Sequence, residues 1–71
     1  MSKEYYKIIV NGEPFNCYKS MSLQDILIYL DINIQSVIIE YNQVIVNFSQ
    51  FQYIFVRPND CLEIITIVGG G

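Results

Sequence analysis

The residues with most chemical potential stand last in the sequence, Gly69-Gly70-Gly71. Bare glycines bring no side chain. They enter a narrow slot and take any extended conformation without steric cost. Beyond Val68 such a tail reaches about 10–14 Å, at ~3.3–3.6 Å per residue. It offers one reactive group, a terminal carboxylate, to another protein's active site. The tail follows an apolar strand with no polar spacer, which argues against an artificial extension.

Side chains offer much less. The sequence has no histidine, so its commonest general acid/base and metal ligand is missing. No Ser-His-Asp or Cys-His pair can form, and no G-x-x-x-x-G-K or G-x-G-x-x-G motif occurs. Two cysteines, Cys17 and Cys61, are too few for zinc or a four-thiolate cluster. Both are expected to be free and buried, as isolated cysteines usually are. The carboxylates Asp25, Asp31, Glu40, Asp60 and Glu63 are sparse, and caps, turns and solvent-facing strand positions account for them. A self-contained enzyme is disfavoured.

Composition narrows the classes further. The 71 residues suit one small domain. Hydrophobic residues make up 52% and charged residues 15%, against roughly 25% charged in an average soluble domain. A disordered tail has the opposite balance. The four basic residues Lys3, Lys7, Lys19 and Arg57 are scattered in a chain of net charge −3, so no stripe exists to bind nucleic acid. No leader peptide stands out, and the apolar runs are far below the ~20 residues of a membrane span. An intracellular, soluble protein is expected. Abundant Ile, Asn and Tyr without Ala match an AT-rich genome, bacterial or organellar.

The elements that must position the tail are legible. Tyr5–Val10 reads as a strand, Asn11-Gly12 as a hairpin turn, and Glu13–Tyr18 as the returning strand. Alternation puts Ile8 and Val10 on one face, Lys7 and Ile9 on the other. Ser22 reads as a helix N-cap with Asp25 at N3, a capping box with Asp for the usual Glu. Met21 and Ile26 have the spacing of a hydrophobic staple. Leu23, Ile26, Leu27 and Leu30 make one buried face of a helix over residues 23–30. Val37–Tyr41 and Val44–Val46 are strands around an Asn42-Gln43 turn. Residues 47–52 form a loop or one irregular helical turn pinned by Phe51, and residues 53–56 a brief extended piece. Arg57-Pro58-Asn59-Asp60 fits a type I turn. Residues 61–67 are the last strand, with Leu62 and Ile64 on one face and Glu63, Ile65 and Ile67 on the other. The fold class is α+β: a mixed four- to five-stranded sheet with one main helix on one face, and strands one and last parallel at its centre.

A hairpin–helix–strands domain that ends in Gly-Gly resembles the β-grasp, ubiquitin-like sulfur carriers, and among them the ThiS family of the thiamine pathway. The likeness spans essentially the whole chain. It is carried by Ile8-Ile9-Val10-Asn11-Gly12, Ser22-Leu23-Gln24-Asp25-Ile26-Leu27, Asn42 before Val44-Ile45-Val46, Asp60-Cys61-Leu62-Glu63-Ile64, and Ile67-Val68-Gly69-Gly70-Gly71. Two departures, Asn42-Gln43 for a common Asn-Gly turn and Phe51 where Trp often sits, leave the tail untouched.

The resemblance implies a β-grasp domain over 1–68 and a flexible glycine tail over 69–71. It implies a carrier in thiamine (thiazole) biosynthesis, not an enzyme. Gly71 is adenylated with ATP by an E1-like (ThiF-like) enzyme, receives sulfur from a persulfide donor as a thiocarboxylate, and delivers it to a ThiG-like thiazole synthase. Gly69 and Gly70 give access to the partner's slot. No resident cofactor or metal, no nucleic acid and no membrane enter this scheme. Ile9, Ile65, Ile67 and Val68, with Ile38, are expected on an exposed face that docks partners. The compartment is a bacterial cytoplasm, or the plastid stroma if the gene is organellar. Alternatives are a molybdopterin-synthase small-subunit-like carrier, a ubiquitin-like protein modifier, and a plain interaction domain.

Overall fold

The computed structural model describes residues 4–67. Strand β1 (Tyr5–Val10) turns through Asn11-Gly12 into β2 (Glu13–Tyr18). Both turn residues have positive φ, 51° and 82°, the mirror-image turn whose twist matches a hairpin. Register pairs Ile8 with Phe15 and Tyr6 with Cys17, so these four side chains share the core face.

Helix α1 (Leu23–Tyr29) is only seven residues, and its caps define it. The Asp25 amide donates to Ser22 Oγ at 3.1 Å, and the Ser22 amide donates back to Asp25 Oδ2 at 3.0 Å. The capping box therefore forms with Asp at N3. Met21 and Ile26 are both buried, in keeping with the staple. Leu30 closes the helix as its C-cap rather than continuing it. Leu23, Ile26 and Leu27 are fully buried, while Ile28 and Tyr29 face solvent.

A short 3₁₀ turn (Ile34–Ser36) leads into β3 (Val37–Tyr41), which turns through Asn42-Gln43 into β4 (Val44–Val46). A second 3₁₀ segment (Phe48–Tyr53) follows, with Phe51 buried as its pin. Tyr53 thus belongs to this segment, and the expected extended piece reduces to one bridge between Ser22 and Phe55. Its cause is backbone bonding to the helix entry: the Leu23 amide donates to the Ile54 carbonyl and the Val56 amide to the Met21 carbonyl.

The turn before the last strand is type II, not type I. Asn59 at its third position has φ 71°, which a type I turn excludes. Strand β5 (Cys61–Thr66) then enters the sheet centre, which has the order β2-β1-β5-β3-β4. It runs parallel to β1 and antiparallel to β3. Five strands, a parallel central pair and one helix on one face match the α+β expectation. Ile8, Ile39, Leu62 and Phe51 meet Leu23, Ile26 and Leu27 between helix and sheet.

Candidate functional site

Strand β5 is the element that carries the chain toward its glycines. Beyond it, the Ile67 amide donates to the Ser36 carbonyl at 2.7 Å, fixing the last described residue against the first 3₁₀ turn. Val68, Gly69, Gly70 and Gly71 lie outside the described residues.

Two asparagines grip β5 from its two neighbours. Asn11 takes a left-handed conformation at the first hairpin, so its side chain turns along β5. Its Oδ1 accepts from the Ile64 amide at 2.6 Å and its Nδ2 donates to the Ile64 carbonyl at 3.3 Å. One side chain thereby supplies both ladder bonds that β1 is too short to make. Asn42, left-handed at the second hairpin, accepts from the Cys61 amide at 2.8 Å. Sequence reasoning saw these asparagines only as turn formers. Their positive φ was legible, but their reach to a strand 53 or 19 positions away was not.

The start of β5 is a polar hub. Asp60 is 9% exposed, not solvated as expected of a turn carboxylate. It accepts from the Tyr41 hydroxyl at 2.5 Å, the Arg57 amide at 2.7 Å and Asn42 Nδ2 at 3.1 Å. Burial, then the bond to Asp60, push the Tyr41 phenol up to about 12. Burial, with the Asp60 charge added, also raises the Cys17 thiol. Cys17 is buried, but Cys61 is exposed, against expectation. Cys61 shares the outward phase of Glu63 and Ile65, because Leu62 and Ile64 take the inward one. Among the described residues no cluster of His, Cys, Asp or Glu could hold a metal ion. None of their buried side-chain nitrogens or oxygens lacks a hydrogen-bond partner.

The sheet face away from the helix is open. Ile65 and Ile67 are 47% and 48% exposed, in line with the expected exposure, and Ile38 is 37% exposed. Ile38 sits directly opposite Ile65 across β3 and β5. Ile9 is only half-buried rather than fully exposed, because Pro14 and Cys61 flank it at the sheet centre. Ile45 and Phe48, both more than 60% exposed, extend the apolar area and were not singled out from sequence. For Ile45 the signal was available: with Val46 inward, alternation turns it out. Beside these residues an apolar groove of about 540 Å³ runs between β3, β4 and the two 3₁₀ segments. Ile67 lines it.

Comparison with known proteins assigns this geometry to a family. Residues 8–71 match the family model described as the ThiS family. The chain belongs to the ThiS family. A solved thiamine biosynthesis protein, ThiS from Geobacter metallireducens, superposes with a TM-score of 0.79 at 25% identity, over 92% of this chain and 99% of that one. The fold is therefore β-grasp, and the chain is a thiamine-related sulfur carrier of a family that carries sulfur rather than catalyses. The chain is 44% identical over its full length to a full-length protein called ycf40 from Porphyra purpurea. It is also 35% identical to a thiazole synthase from Paramagnetospirillum magneticum, over 92% of this ThiS-family chain but only 20% of the synthase. No helix of the described residues is long and apolar enough to cross a membrane.

Proposed function

We propose that this ThiS-family chain carries sulfur on Gly71 to thiazole synthase. A carboxylate with a pKa near ~3.3–3.7 is anionic at neutral pH and a poor electrophile. An E1-like enzyme joins it to AMP from ATP, releasing pyrophosphate. The terminal sulfur of a persulfide displaces AMP, giving an acyl disulfide. A thiol then cleaves the S–S bond, leaves as the new disulfide, and frees the Gly71 thiocarboxylate. This is covalent group carriage, in which the chain supplies its end and the partner the catalysis.

The observation that carries this reading is the family match itself, which extends through Gly71. The anchored strand at its root supports it, because a fixed Ile67 presents the residues beyond it from a defined point. Thiazole synthase as the recipient is supported by the synthases of Paramagnetospirillum magneticum and Magnetococcus marinus. Each contains a stretch similar to 92% of this chain within one longer polypeptide. That arrangement favours the thiazole over the pterin pathway. The ycf40 likeness favours the plastid stroma as the compartment.

Incubation with the adenylating enzyme, ATP and a persulfide donor should replace one oxygen by sulfur, read by intact mass. An unchanged mass with a competent enzyme would overturn the reading. Gly70→Ala should fold normally and slow adenylation, since a methyl obstructs the slot. Adenylation at the unaltered rate would remove the steric role given to the glycines.

A further inference from the structure

Asn11 is held to β5 by its backbone and its side chain together. Its amide donates to the Leu62 carbonyl at 2.8 Å. Its side chain takes both backbone groups of Ile64: Oδ1 accepts from the amide at 2.6 Å, and Nδ2 donates to the carbonyl at 3.3 Å. This pairing fixes which way the carboxamide points, since an N–H can meet only the oxygen and a carbonyl only the NH2. Asn11 is thus a clasp that closes only when β5 lies beside the first hairpin.

The sequence makes the same residue the most reactive asparagine of the chain. Of the six asparagines, Asn11 alone precedes a glycine. An asparagine loses its amide when the backbone nitrogen of the next residue attacks its Cγ, and a side chain on that next residue crowds the approach. Gly12 has no Cβ, and one added there would meet nothing within 4 Å, so the turn is open on that side. Both residues are exposed, so water and solvent base have access. The other five asparagines are followed by Cys17, Ile34, Gln43, Phe48 and Asp60, each with a side chain in the way.

We propose that Asn11 is a deamidation site, guarded by its clasp on β5 and released when β5 lifts away. With Ile64 in place, both side-chain heteroatoms are occupied and the carboxamide is held along β5. With Ile64 gone, the side chain regains its rotamers and can swing over the Gly12 nitrogen. That nitrogen bonds to Asn11 Cγ as its proton passes to solvent. The Cγ–Nδ2 bond breaks and ammonia leaves. One water opens the five-membered imide that remains. Opening at Cγ gives an aspartate. Opening at the Asn11 backbone carbonyl gives an isoaspartate, with the side-chain carbon now in the main chain. Nothing is oxidised or reduced.

Neither product restores the clasp. An aspartate still accepts from the Ile64 amide, but it sets a carboxylate oxygen against the Ile64 carbonyl where a donor stood. An isoaspartate lengthens the main chain inside a tight turn, whose positive φ angles of 51° and 82° and whose Val10–Glu13 register suit the natural backbone. The modification therefore marks a chain whose β5 has been unseated and opposes its return. Ile64 precedes Ile67 on the same stretch of chain, so the loss reaches the root of the glycine tail. The inference does not depend on what Gly71 carries.

The test incubates the full chain near neutral pH, folded and in denaturant, and reads deamidation by intact mass and peptide mapping. In denaturant, Asn11 should react before any other asparagine. Gly12→Ala should slow it there, where the strain of a left-handed φ no longer matters. In the folded chain the reaction should be about tenfold slower or more, because the bonds to Ile64 must first open. Asn11→Asp, the product of direct opening, should lower the unfolding midpoint and speed hydrogen exchange at the Ile67 amide.

Equal rates in the folded and denatured chain would overturn the guard. Earlier reaction at Asn42 or Asn59 would overturn the site. An Asn11→Asp chain with wild-type midpoint and exchange would overturn the consequence for β5. An Asn11→Asp chain that does not fold would be the same loss at its limit, and the wild-type rates would still decide the guard.

Discussion

The two ends of β5 are built on opposite principles. At its start, a buried carboxylate collects a phenol, a carboxamide and a backbone amide, and every polar atom is matched. At its end, Ile65 and Ile67 stand half-exposed, and past the ladder to β3 a backbone bond to Ser36 holds Ile67. The difference divides labour along a single strand. The first end spends its interactions on rigidity inside the chain. The second leaves apolar surface unspent beside the root of the proposed carrier tail.

If that division holds, substitutions at the first end lower stability and those at the second lower binding. Asp60→Ala should have the largest effect. It leaves three donors without their acceptor, at a cost of about 3 kcal/mol read from denaturant unfolding. The variant that still folds should be adenylated normally at saturation; a lost kcat with intact stability would break the contrast.

Tyr41→Phe removes one bond to a charged group and should cost about 1.5 kcal/mol at neutral pH. The phenol is raised in the folded state from 10.0 to about 12. Its contribution is therefore complete below pH 10 and is lost as pH climbs toward 12. The stability gap between wild type and Tyr41→Phe should close over that window. A gap that stays constant would remove Tyr41 from the hub.

Gln43→Gly tests the hairpin that delivers Asn42 to the hub. Gln43 holds φ 72°, a conformation costly to an L side chain and free to glycine. The variant should gain about 0.5–1 kcal/mol. A loss would mean that the Gln43 side chain makes a contribution the turn geometry does not explain.

Ile67→Ser should change stability least, by within about 0.5 kcal/mol, as surface substitutions do. It should nonetheless weaken binding to the adenylating enzyme. A variant that is strongly destabilised would place Ile67 in the core rather than on the docking face.

Much of the scaffold was readable from local chemistry. The Asn11-Gly12 turn, the Ser22–Asp25 box and the Leu23, Ile26, Leu27 stripe depend on neighbours within a few positions, and each formed as its residues dictate. Asp60 was not readable, because its partners Tyr41 and Asn42 come from another hairpin and meet it only once the sheet is assembled. The same holds for Asn11 on Ile64. Cys61 departs from expectation for a simpler reason: strand phase, not residue type, decides its exposure. The groove escaped notice because no single segment builds it. It needs both 3₁₀ segments and the edge of β4, whereas Ile65 and Ile67 followed from alternation alone.

The bond from the Ile67 amide to Ser36 has one more consequence. It sets the zero mark of a ruler. For the proposed carriage on Gly71, the distance from Ile67 to the reacting carbon is graduated in whole residues, each ~3.3–3.6 Å. On that reading a glycine added after Val68 would overshoot a partner's reacting centre by a full graduation, and one removed would fall short by as much.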